Sequence, residues 1–354
     1  MSLKTIWLLA VAVVCVYPAA ASTYYVGSCK SGSFPTISAA VNAAPAGSTI
    51  LICAGNYGGQ VIISKDLTLK GLDDPNEYNG AGANITAGAG LPTTTSGIDA
   101  LNSAFGPIAP VFWVTAGNVS IQNLSVTGSS GPADMTCPPT SVGFYYATGA
   151  SGALNHVAFF GDWCTVGIWA ENASLTQTAV TVENSSSTAG IVAASEPYGT
   201  LTATIKGNQV FPSQVSVGNF GIWLYGASGT VETNFITGPL WYGTDPQPVT
   251  AIVDSGGAQS DVTISGNTIQ INGPGTEYLP LADAGIFIGG GSATVRSNKI
   301  SGAGLGINVN CTAATVSGNT ISNAGAGIAG APAGFTGVNT FFNVGQKLEG
   351  GRGC

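Results

Sequence analysis

The frame apolar-x-x-Asn-x-apolar recurs down the second half of this chain, and a recurrence at that interval leaves few folds open. It places Ile205, Asn208 and Val210; Val231, Asn234 and Ile236; Ile264, Asn267 and Ile269; Val295, Asn298 and Ile300; and Val316, Asn319 and Ile321. A degenerate copy at Asn339 and Phe341 ends the series. Upstream, "SLTQTAV" keeps the frame from Leu175 with Thr178 in the Asn slot, and "ALNHVAF" and "VSIQNLSV" keep the apolar spacing without the Asn. The shortest intervals, such as Val295 to Val316 and Asn319 to Asn339, are about 20 to 21 residues, and longer ones carry inserted loops. A repeat of this length means stacked units, each of which cannot bury its own apolar face alone.

A second motif follows each copy. "GIWAEN" starts at Gly167, "GIVAAS" at Gly190, "GIWLYG" at Gly221, "AIVDSG" at Ala251, "GIFIGG" at Gly285 and "GINVNC" at Gly306. These segments are short and alternating, as strands are. Two or three short strands per unit, separated by tight turns, give an all-β, single-stranded parallel β-helix with Ile, Val and Leu inside. Asn suits a left-handed turn residue, and stacked Asn side chains can hydrogen-bond along the axis. Leucine-rich repeats share the period but need a Leu-x-x-Leu-x-Leu frame that is absent. A β-sandwich would not hold a fixed marker spacing.

Lys4, the apolar run "IWLLAVAVVCVY" and "PAAAS" make residues 1–21 a secretory leader cleaved after Ala21. No other stretch is long enough to span a membrane, so the mature chain is expected to be secreted, extracellular or periplasmic. Removing Cys15 leaves Cys29, Cys53, Cys137, Cys164, Cys311 and Cys354. An even number in an exported chain points to disulfides, and neighbours in sequence are the expected pairs: Cys29–Cys53, Cys137–Cys164 and Cys311–Cys354. There is no CxxC or Cys/His cluster, and His156 is the one histidine, so neither a metal nor a cofactor is expected. The formal net charge is −8. An acidic exterior disfavours nucleic acid, anionic lipid and strongly anionic glycans as partners.

The stretch "SFPTISAAVNAAPAGSTILICAGNYGGQVIISKDLTLKGLD", with the coils after it, resembles the pectin-lyase-like right-handed β-helix superfamily of polysaccharide lyases, hydrolases, esterases and epimerases. The resemblance implies a short capping helix near Ile37–Ala44, a capping module at about 24–72, coils at about 110–343 and a tail at 344–354, all within one domain at 22–354. Gly80–Ala109 breaks the rhythm and is expected to be one long loop over an early coil. Pectin esterases, which this opening stretch resembles most, carry a Glu shortly after the module's Tyr. Here Gly58, Gly59 and Gln60 follow Tyr57. Their paired aspartates, the Gly-His-Gly of polygalacturonases and the cationic base of pectate lyases also have no counterpart, and Arg296 and Arg352 are the only arginines.

Function is therefore sought on the outward columns. The residue after each Ile of the Gly-Ile motif points out of a β-helix, giving Trp169, Val192, Trp223, Val253, Phe287 and Asn308. The next outward position includes Glu171 and Tyr225. Exposed aromatics on a rigid sheet suit the flat faces of sugar rings. Long insertions all fall before this strand and carry Asp162, Trp163, Trp241, Tyr242, Asp245, Glu277, Tyr278 and Asp283. The substrate-binding set is thus Trp169, Trp223, Tyr225, Phe287, Trp241, Tyr242 and Tyr278. Paired carboxylates cleave glycosides, and Asp245, Glu277, Glu171 and Asp254 are the catalytic candidates. Asp254 stands where Leu224 and Ile288 stand in adjacent coils, so it is expected to face inward, desolvated. The expectation is a β-helix that binds, and with such a pair could cleave, a neutral or weakly charged polysaccharide. A non-enzymatic surface or matrix protein is the alternative.

Overall fold

The computed structural model describes residues 21–72, 82–88, 90–128, 139–161, 164–172, 177–196, 198–211, 220–238, 250–255, 259–271, 284–310, 312–331 and 337–350. Every ladder between its named strands is parallel, and each strand pairs with its counterpart one coil away. Three sheets run along the axis. A marker sheet holds the first apolar residue of the Asn frame, as in Leu201–Lys206, Ser228–Glu232 and Asp261–Ser265. A narrow second sheet follows the Asn, as in Phe235–Thr237 and Thr268–Gln270. The Gly-Ile sheet closes the coil, as in Phe220–Tyr225, Thr250–Ser255 and Ala284–Ile288. Ile, Val and Leu from all three fill one continuous interior.

The asparagines line up. Asn208 Nδ2 donates to Asn234 Oδ1 at 3.0 Å, and the same bond at 2.9 Å links Asn234 to Asn267, Asn267 to Asn298, Asn298 to Asn319 and Asn319 to Asn339. Each Oδ1 also accepts the backbone N–H of the preceding ladder residue. The second Nδ2 hydrogen goes to a carbonyl of the preceding coil, Val182, Ile205, Val231, Ile264, Val295 or Val316 in turn. These amides can therefore be buried without loss. The left-handed turn residue is not the Asn, however. Gly207, Thr233, Gly266, Ser297 and Gly318, each just before it, hold φ between 52° and 68°. That turn aims the Asn side chain inward. One coil is also re-registered. Val182, not Leu175, pairs with Leu154 and Ile205, and Ser185 takes the Asn slot that Thr178 was expected to fill.

The glycine of the Gly-Ile motif marks a close approach. A Cβ on Gly285 would sit 2.5 Å from Ile300 Cγ2 and 2.6 Å from the Gly306 carbonyl oxygen. A helix, α1 (Ile37–Ala43), caps the N-terminal end; Thr36 accepts from the Ala39 N–H, and Ile37, Ala40 and Val41 are buried beneath it. At the other end Thr340–Gly350 pairs with Thr320–Ala331, so strand pairing continues through residues expected to be a tail. No helix cover lies on this end among the described residues, and Phe342 and Leu348 are more than half exposed. Cys29 and Cys53 are bonded, with Cα atoms 5.8 Å apart. Cys164 is disulfide-bonded too; its expected partner Cys137, and the pair Cys311 and Cys354, lie outside the described residues.

Gly80–Ala109 is not one loop. It contains a strand of the second sheet, Ala83–Thr86, and a second helix, α2 (Asp99–Phe105). Thr94 and Ile108 pair antiparallel across the base of the segment, which forms a strap over the outer face of the Gly-Ile sheet.

Candidate functional site

Strand register confirms the outward column. Trp169, Val192, Trp223, Val253, Phe287 and Asn308 are successive cross-strand partners. Upstream the column continues through Tyr145 and Trp113. Its upper half is not exposed. The strap packs Ile98, Leu101 and Phe105 onto Val142, Tyr145, Val166, Trp169, Val192 and Phe220, a second apolar core outside the β-helix. Phe105 lies edge-on to Trp169 with ring centres 5.0 Å apart. Trp169 is fully buried, so it is a packing residue and not a sugar platform.

Glu171 is corrected for the same reason. It is buried and accepts three hydrogen bonds, from Ser96 Oγ at 2.6 Å, Gly97 N at 2.8 Å and Tyr145 Oη at 2.6 Å. Burial first, and then the Glu171 carboxylate, hold the Tyr145 phenol protonated well above the ordinary tyrosine range. Glu171 thus pins the strap to the sheet, and its oxygens have no free approach for a substrate. The sequence frame carried no sign of Ser96 or Phe105, because the strap does not follow the repeat.

Beyond the strap the column opens. Trp223, Tyr225, Val253 and Phe287 are each half-buried. Trp223 rests against Phe105 and Phe220 and donates its Nε1–H to Ser255 Oγ at 2.7 Å. Tyr225 stands edge-on to Trp223 at 6.1 Å and to Tyr198 at 6.0 Å. A hydrogen bond with Tyr198 is the main reason the Tyr225 phenol is pushed up to about 12. The result is a short aromatic strip with its edges fixed by packing. Tyr198 was missed from sequence because it follows the Gly-Ile strand of the coil above, outside both motifs.

Asp254 points into the β-helix, as its slot implied. It is fully buried, and neither carboxylate oxygen has a hydrogen-bond partner. It cannot reach a ligand on the outer face, which removes it as an acid or base for cleavage. Asp245, Glu277, Trp241, Tyr242 and Tyr278 lie outside the described residues. Among the described residues no group of three His, Cys, Asp or Glu side chains could hold a metal ion.

Residues 249–347 match the family described as the right handed beta helix region. No curated protein sequence matches the chain. Among solved structures, the native GH136 lacto-N-biosidase from Eubacterium ramulus is 11% identical at a TM-score of 0.55, over 93% of this chain and 68% of that one. The fold is the right-handed parallel β-helix. Pectin methylesterase PemA from Erwinia chrysanthemi is 13% identical at a TM-score of 0.44, over 90% of this chain and 92% of its own. On this right-handed β-helix the strip occupies the outer face of one sheet midway along the axis, bounded at its upper end by the strap. No described helix is long and apolar enough to cross a membrane.

Proposed function

We propose that this is a secreted β-helix that binds a neutral or weakly charged polysaccharide along the strip of Tyr198, Trp223, Tyr225 and Phe287. The observation that carries the reading is the half-buried Trp223, its rim held by Phe105 and Phe220 and its N–H by Ser255. Such a ring is pre-ordered, so stacking a sugar on it costs little side-chain entropy. The acidic net charge of −8 favours an uncharged glycan. The likeness to a lacto-N-biosidase is compatible with a glycan partner, and the disulfides fit an exported chain. With Glu171 and Asp254 withdrawn, cleavage would rest on Asp245 and Glu277.

The test is a glycan array followed by calorimetry on the best ligand, with wild type and Trp223→Ala. Binding should weaken about tenfold, the loss of one aromatic contact worth about 1.4 kcal/mol. Unchanged affinity in the variant, or no ligand for wild type, removes the strip as a binding site. The alternative of a rigid surface spacer draws on a different observation, the unbroken amide ladder from Asn208 to Asn339. It is the reading that survives if no glycan binds.

A further inference from the structure

Asp254 is the one charged-type side chain that the described interior holds without a partner. Its strand, Thr250–Ser255, aligns it with Leu224 in the coil above and Ile288 in the coil below. Strand alternation puts Ile252 and Asp254 inside, Val253 and Ser255 outside. The inward residues of the other two sheets at this level are Val231, Val262 and Ile264, then Ile236 and Ile269, all apolar and buried in the same core. The charged groups on the strands of these coils, Glu232, Asp261, Arg296 and Lys299, sit at outward, solvent-reaching positions. None of them faces Asp254, and both of its oxygens lack a donor.

A carboxylate in such a place is not tolerated as an ion; it takes a proton or leaves. We propose that Asp254 is a pH-responsive element of the interior, seated as the neutral acid, whose ionisation loosens the coil that supports the Trp223 strip. The link is short. The same strand presents Ser255, the acceptor for Trp223 Nε1 at 2.7 Å. An Asp254 that turns outward or draws in water breaks the alternation between Val253 and Ser255, and Trp223 loses its anchor. Only the ligand arm of this inference rests on the glycan reading.

Burial alone pushes the Asp254 carboxyl from the ordinary 3.8 up to about 7. Because the folded value is the raised one, the stabilisation is complete below the unfolded value. It is then lost as pH climbs through about 7. Across that window the folding equilibrium of wild type should fall relative to a non-titrating variant by up to about tenfold per pH unit.

The experiment is thermal and urea unfolding of wild type, Asp254→Leu and the near-isosteric Asp254→Asn from pH 4 to pH 9, with intrinsic tryptophan emission recorded in the folded state. Both variants should be less pH-dependent than wild type between about pH 4 and 7, and the folded-state emission of wild type alone should shift as pH passes through about 7. If one variant fails to fold, the other decides. A wild-type-minus-variant difference that stays constant over the whole range overturns the inference. Ligand titration at pH 5 and pH 8 separates the two ideas. Weaker binding at pH 8 in wild type but not in Asp254→Leu supports the coupling. Equal pH dependence in both overturns it. No binding at either pH sinks the glycan strip and leaves the unfolding curves to judge Asp254.

Discussion

At the scale of single residues, two buried polar groups do opposite things with the same interior. Glu171 is ionisable yet fully partnered, and Asp254 is ionisable and alone. Replacing Glu171 by Ala would strand the Ser96 hydroxyl, the Gly97 N–H and the Tyr145 hydroxyl under the strap. We expect a loss of roughly 3 kcal/mol or more in urea unfolding, since each buried donor left without an acceptor costs about 1–3 kcal/mol. Glu171→Gln, which keeps an acceptor, should lose less. If Glu171→Ala matches wild type, the pinning role is wrong. Sequence spacing found Glu171 and assigned it outward, which is correct relative to the β-helix. It could not show the strap, because nothing in a strand's own alternation tells what another segment lays over it. For Asp254 the same alternation was sufficient, since its partners in register are set by the repeat itself.

The strands obey the repeat because each must thread a fixed gap between its neighbours. Glycine opens the Gly-Ile strand at Gly285 and Gly306 where a side chain would strike the isoleucine of the adjoining sheet and the carbonyl of the next coil. Gly285→Ala should therefore cost about 1–3 kcal/mol by overpacking, read as a lower urea midpoint at unchanged slope. An unshifted midpoint would mean the coil can spread at that corner. These strands were legible because burial, turn and ladder all demand the same residue at the same interval. The exceptions were legible only in part. "SLTQTAV" fits the apolar frame from Leu175, but the chain pairs through Val182, because Ser185 can accept and donate in the Asn slot where Thr178 lies too early. α2 broke the pattern altogether, and its apolar residues serve a core that the repeat does not build.

At the scale of the whole molecule, the described residues cover one end of the stack with a helix and leave the other without one. α1 covers the first coil, whereas the interior column Ile307, Ile328 and Leu348 runs from fully buried to half open. Stability in a stack is a sum of neighbour contacts, so the terminal rung has the least of it. Amide hydrogen exchange should be fastest in Thr340–Gly350, slower in Thr23–Val26 and slowest in Phe220–Tyr225 and Thr250–Ser255. Equal protection at both ends would show that another segment covers the last rung.

The stretch between Asn298 and Asn319 completes one circuit with no insertion. It is a self-contained segment of the fold, and whole circuits are the only lengths by which such a cylinder can grow or shrink without harm. One added circuit moves every later side chain along the axis but leaves its compass bearing unchanged. One added residue inside a strand swaps inside for outside from the point of insertion to the strand's end. The length of the cylinder and the face it shows to its surroundings are thus free to vary separately.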